Sequence, residues 1–129
     1  MVDIYGSDYD AWINDQLLLM VQIETVEAVA RSAEIFSVEG VDGCWIGPGD
    51  LSRSMAVDLA TPAGAQAHET MILRVLDACR QTGKIPGIHA RNPADARRWL
   101  DHGFLFVTVG TDVTLLTSAA QDWLRQVRR

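Results

Sequence analysis

Positive charge is scarce in this sequence. Eleven lysines and arginines face seventeen aspartates and glutamates, a formal net charge of −6, which argues against a surface built to neutralise a nucleic-acid backbone. Long apolar runs are missing too. No stretch approaches the roughly 18 apolar residues of a membrane span, and the acidic opening Met1 to Asp10 lacks the basic-then-apolar pattern of a secretory signal. The simplest expectation is a cytoplasmic protein with neither nucleic acid nor membrane as a partner. Cysteine is rare: Cys44 and Cys79 lie in apolar segments at no metal-binding spacing and read as reduced core residues. Low-complexity stretches are absent, and 48% hydrophobic with 22% charged residues suits a folded domain and excludes a disordered tail.

What is present is a rhythm. Short apolar runs at 17–24, 41–47, 85–89 and 104–109 alternate with helical patterns, as in successive βα units around a parallel sheet. The helical stretches are about 26–36 behind an N-cap at Thr25, a short helix at 50–55, and an amphipathic helix with Ile72, Val75, Leu76 and Cys79 on one face that ends at Gly83. Asn92 and Pro93 open the next helix, which Gly103 closes after His102. A last helix, about 112–128, carries Leu116, Ala120, Trp123, Leu124 and Val127 at helical spacing and should pack on the sheet or on a neighbouring subunit. Residues 1–16, with Tyr5, Gly6, Tyr9 and Trp12, read as the remnant of a preceding helix and loop.

In parallel α/β folds the functional groups gather at the carboxyl ends of the strands. Strand alternation puts Met20, Gln22 and Glu24 on one face of the first strand and Val21 and Ile23 on the other. A carboxylate ending a buried strand must be paired, metal-bound or solvated. The second strand runs into Gly47, Pro48, Gly49 and Asp50, so a second acid stands at the equivalent level one βα unit later. Oxygen ligands of this kind favour a hard cation such as Mg2+ or Mn2+ with positions left open for water and substrate. The glycines allow close backbone approach, and free N–H groups at the start of the short helix suit a substrate carboxylate. Helix capping for Glu24, and ordinary turn formation for the Gly, Pro and Asp residues, are the competing structural readings.

The run Gln22-Ile-Glu-Thr25, then Gly40-Val-Asp-Gly43, then Ile46-Gly-Pro-Gly-Asp-Leu-Ser52 resembles the consecutive metal-site motifs of the HpcH/HpaI aldolase family. The likeness continues through Gly83 to Gly87, Gly103 to Val107 and Gly110 to Asp112. It implies that residues 17–129 are the C-terminal half of a (β/α)8 TIM barrel of the α/β class, with four parallel βα units. It further implies a carbon-carbon lyase acting on 2-oxo acids such as pyruvate through a metal-bound enolate, with an aldehyde as the other small-molecule partner. By the resemblance Glu24 and Asp50 hold the divalent metal, Mg2+ or Mn2+ with Co2+ as a further candidate. Gln22, Gly47, Pro48, Gly49 and Asp50 surround the substrate. A citrate-lyase-β-like enzyme acting on acyl-CoA, and a non-catalytic half-barrel subunit, are the alternatives.

The same resemblance implies a catalytic His and a substrate-binding Arg that no part of this sequence matches, so they belong upstream of Met1, and the expectation is a fragment or truncated reading frame, the alternatives being a barrel completed by another polypeptide and a half-barrel that has lost activity. A half-barrel alone leaves two open sheet edges and an uncovered apolar face. Homo-oligomerisation, or association with an N-terminal half-barrel, is therefore expected. Lys84 is the only lysine and precedes the third strand at the far end of the sheet, which argues against Schiff-base chemistry and for a surface position. Of the histidines, His68 and His102 fall on helices and read as solvated or as complements to a helix dipole. His89 ends the third strand at the mouth level and is a candidate pocket residue. Asp42 reads as structural and Asp112 as the cap of the last helix. Trp12, Trp45, Trp99 and Trp123 read as core or interface residues.

Overall fold

The computed structural model describes residues 6–128; Tyr5 and the rest of the first five residues of the expected remnant lie outside that range. Four parallel strands pair in chain order, β1 (Met20–Ile23), β2 (Gly43–Ile46), β3 (Ile85–Ala90) and β4 (Phe106–Val109). Before them come a short helix α1 (Tyr9–Trp12) and a 3-10 turn (Ile13–Gln16). Between and after them run α2 (Val26–Ala30), α3 (Ser32–Phe36), α4 (Pro48–Ser54), α5 (Pro62–Thr82), α6 (Pro93–His102) and α7 (Asp112–Val127). The expected four βα units are present.

The caps explain why the helices start where they do. Thr25, Thr61, Asn92 and Thr111 each accept a hydrogen bond from a first-turn amide, and prolines stand at the openings of α4, α5 and α6. Gly83 and Gly103 close α5 and α6 in the left-handed conformation. On the covered face of the sheet, Ile23, Cys44, Ile46 and Ile88 pack with Phe36, Ile72, Val75, Leu76, Cys79 and Trp99 into one buried cluster. Cys44 and Cys79 are free and buried, with Sγ atoms 3.5 Å apart. The bond between them, then burial, pushes the Cys79 thiol up.

Several expectations are corrected. The first strand begins at Met20 rather than Leu17, because β2 offers its first partner at Gly43; Leu17 and Leu18 are exposed. Asp42 does serve structure, its carboxylate accepting from the Leu19 amide at 2.7 Å. The helix expected over 26–36 breaks at Arg31 (φ −104°, ψ 11°) into α2 and α3. The short helix begins at Pro48 rather than Asp50, and β4 starts two residues late because Phe104 is buried behind α6 with its amide on the Trp99 carbonyl, 3.1 Å. Lys84 is half-buried, its Nζ donating to the Val41 carbonyl at 2.7 Å. Thr111, not Asp112, caps α7. Nor does α7 pack on the sheet: none of its described residues is buried, and Trp123 is 73% exposed.

Candidate metal and substrate site

Pleating sorts the strands into two faces. Opposite the covered face, Gln22, Trp45, Gly87 and Phe106 form one row across β1–β4, and the same register carried two residues on makes the next row Glu24, Gly47, His89 and Thr108. This second row lies at the carboxyl ends of the strands. The expected site residues Gln22, Glu24, Gly47 and His89 are thus brought onto one face and one end of the sheet.

Glu24 is the first residue beyond β1 and is half-buried. Its Oε2 accepts from Gln22 Nε2 at 2.7 Å, which fixes the orientation of the carboxylate. The other wall is backbone: a Cβ added at Gly47 would lie 3.0 Å from Glu24 Oε2, so the carboxylate occupies space that any side chain at 47 would claim. Gly47 is held to β1 by its amide, which donates to the Ile23 carbonyl at 3.3 Å. The chain then enters α4, with Pro48 in the first turn. Pro48 has no N–H, and the amides of Gly49 and Asp50 fall in the turn where no intrahelical carbonyl is available, leaving two donors at the mouth.

Asp50 lies on this turn and is exposed, its Oδ1 2.6 Å from Arg53 Nη1. That ion pair was not foreseen, although the spacing of three along a helix is its signal. His89 is half-buried. Its Nδ1 lies 3.0 Å from Thr108 Oγ1, which also accepts from Trp45 Nε1 at 3.1 Å, and the Trp45 ring stands edge-on to the imidazole at 5.9 Å. Two neighbours fix the ring.

Among the described residues no group of three or more His, Cys, Asp or Glu is gathered to hold a metal. The carboxylates of Glu24, just beyond β1 with the Gln22 amide on it, and of Asp50, in the first turn of α4, are still oxygen donors of the kind taken by a hard divalent cation that keeps most of its coordination for water and substrate. His102, at the end of α6, lies 3.5 Å from Glu69, and Lys84 stands at the opposite end of the sheet. The sequence reading missed His68: it is buried, with Nε2 2.8 Å from the Pro48 carbonyl oxygen. The helical period of α5 puts residue 68 on the buried stripe with Ile72 and Val75, but nothing local shows that Pro48 lies across from it.

Comparison with known proteins agrees with this architecture. The family model described as HpcH/HpaI aldolase/citrate lyase matches residues 5–119. A 4-hydroxy-2-oxo-heptane-1,7-dioate aldolase of Escherichia coli is 44% identical over 117 residues, covering 88% of this chain and 43% of the relative. The protein of the same name from Salmonella arizonae is 45% identical over 116 residues, with the same 88% and 43% coverage. The crystal structure of a HpcH/HpaI aldolase/citrate lyase family protein from Burkholderia cenocepacia superposes with a TM-score of 0.84 at 34% identity, over 95% of this chain and 47% of that one. The chain thus spans somewhat less than half the length of these relatives, and its four βα units correspond to half of a TIM barrel.

Proposed function

The chain belongs to the HpcH/HpaI aldolase/citrate lyase family, and from that membership we propose that it forms the cation- and substrate-carboxylate-binding half of a carbon-carbon lyase acting on 2-oxo acids. The observation that carries the reading is the seating of Glu24 against bare Gly47, with Gln22 bonded to it and Asp50 in the helical turn that follows Gly47. Glu24 and Asp50 would hold a divalent cation, Mg2+ or Mn2+, which when bound supplies Lewis-acid polarisation of the 2-oxo acid. The Gly49 and Asp50 amides would receive the substrate carboxylate, as free N–H groups at a helix start do. Gln22 orients the Glu24 carboxylate through its side-chain amide. His89, on the same row as Glu24 and two strands away, roughly 10 Å at the backbone, borders the substrate space from the other side. No lysine stands at this end of the sheet to form a Schiff base.

Two features support a role as part of a larger assembly. The open face carries Phe106, 40% exposed, beside Met20 and Trp45, and both β1 and β4 are edge strands. A complementary half-barrel, or further copies of this chain, would cover them, and a complementary half would supply the catalytic His that the family resemblance implies and that no part of this sequence matches. The test is pyruvate release from a 4-hydroxy-2-oxo acid, followed by coupled NADH oxidation, with the complementary half of a family relative supplied in trans. Release that needs both halves and stops on chelation is the expected result. Release insensitive to chelation, or none from a stable complex, would contradict the proposal.

A further inference from the structure

His68 is out of character with its surroundings. It sits on the buried side of α5 in line with Gly64, Ile72, Val75 and Cys79, all buried, and is itself 8% exposed. An imidazole taken out of water there costs free energy unless its polar atoms find partners. The partner is the Pro48 carbonyl oxygen, 2.8 Å from Nε2. A carbonyl can only accept, so Nε2 carries the proton. Gly64, one turn earlier, shows how the contact is reached: an added Cβ there would overlap the Asp58 carbonyl, so α5 begins in direct contact with the loop that follows α4, and the next turn places His68 over Pro48.

The rest of α4 is held by other means. Leu51 is fully buried, and Ser54 Oγ accepts from the Val26 amide at 3.0 Å. The opening turn lacks that packing. Pro48 and Gly49 border a cavity of about 200 Å3, lined also by Leu59, His68, His89 and Trp99. The turn that carries the Gly49 and Asp50 amides and the Asp50 carboxylate is therefore fastened on this side by a hydrogen bond, not by packed apolar surface.

We propose that His68 is a positioning residue: its Nε2–H holds the Pro48 carbonyl and so fixes the first turn of α4 relative to Glu24. Its consequence for cation binding rests on the reading of Glu24 and Asp50 as ligands, whereas the hold on the turn does not. The experiment compares the whole chain with His68→Leu, which suits the apolar stripe but has no donor, and His68→Gln, whose amide nitrogen can stand in for Nε2. Two readouts are taken: hydrogen exchange of segments 48–54 and 72–79, and Mn2+ affinity in the presence of oxalate.

In His68→Leu, exchange over 48–54 should rise about fivefold or more while 72–79 is unchanged, and Mn2+ should bind about five to ten times more weakly, the scale of one lost hydrogen bond. His68→Gln should restore both. Unchanged exchange over 48–54 in His68→Leu would overturn the proposal. So would equal effects of Leu and Gln, or a rise that extends through 72–79, since that marks an ordinary core residue. If the unmodified chain binds no Mn2+, the ligand reading fails, and the exchange comparison alone still decides the role of His68.

Discussion

Gly43, the first residue of β2, and Gly47, just past its end, do different work. At Gly43 an added Cβ would overlap the Ile85 carbonyl of the neighbouring strand, and backbone within a sheet cannot yield. At Gly47 the nearest atom is Glu24 Oε2 at 3.0 Å, the end of a side chain that can swing away. Gly47 has φ −96°, which alanine adopts without strain. Gly43→Ala should therefore lose at least about 2 kcal/mol of stability in urea unfolding. Gly47→Ala should stay within about 1 kcal/mol of the unmodified chain yet bind Mn2+ about tenfold more weakly, because its Cβ displaces the carboxylate. A Gly47→Ala variant with unaltered Mn2+ affinity would mean that Glu24 is not held where the reading needs it. That Gln22 and Glu24 share one face of β1 was legible in the sequence, because strand alternation is local. Arg53 on Asp50 and His68 on Pro48 were not, since both depend on which helix face meets which neighbour.

At the scale of elements, α6 shows how a helix start is secured. Asn92 Oδ1 accepts from the Asp95 amide at 2.9 Å, while Asp95 Oδ2 accepts from the Arg91 amide at 3.2 Å and Oδ1 from Arg98 Nη2 at 3.1 Å. Burial alone would raise the Asp95 carboxyl, but the Arg91 amide and the Arg98 guanidinium together hold it below the usual carboxylate range. A carboxyl depressed in the folded state stabilises at pH above its unfolded value, and that stability is lost as pH falls through the lower folded value. Asp95→Asn should thus cost about 1–2 kcal/mol at neutral pH, with the gap closing as pH drops below roughly 3.9, the ordinary aspartate value. Urea unfolding at a series of pH values reads this directly, and a gap constant down to the acid end would contradict it. The caps at Thr25 and Asn92 and the closures at Gly83 and Gly103 were readable because capping is local chemistry. The break at Arg31 was not: the sequence there has no Gly or Pro, and Arg31 is clamped to Glu34 at 2.8 Å in a turn set by how α2 and α3 pack on α5.

For the molecule as a whole, the βα rhythm foretold four parallel strands, while their succession in chain order was implied by the family resemblance, because the same rhythm also builds doubly wound sheets with other strand orders. The fate of α7 was not readable. Its apolar residues recur at helical spacing, yet Val113, Leu116, Trp123 and Val127 are all more than half exposed, so α7 does not bury them on this chain's own sheet. The open face of the sheet, its two free edges and this helix fit the proposal that the chain works within a larger assembly, while the site-bearing strand ends are set by contacts within the chain itself. The central claim is that Glu24 and Asp50 together hold a divalent cation. It is tested most directly by calorimetric titration of Mn2+ into the chain with oxalate present, alongside Glu24→Gln and Asp50→Asn. Saturable binding by the unmodified chain, weakened at least about tenfold in each variant while both stay folded, is the predicted result; binding that survives both substitutions, or none by the folded unmodified chain, would contradict it.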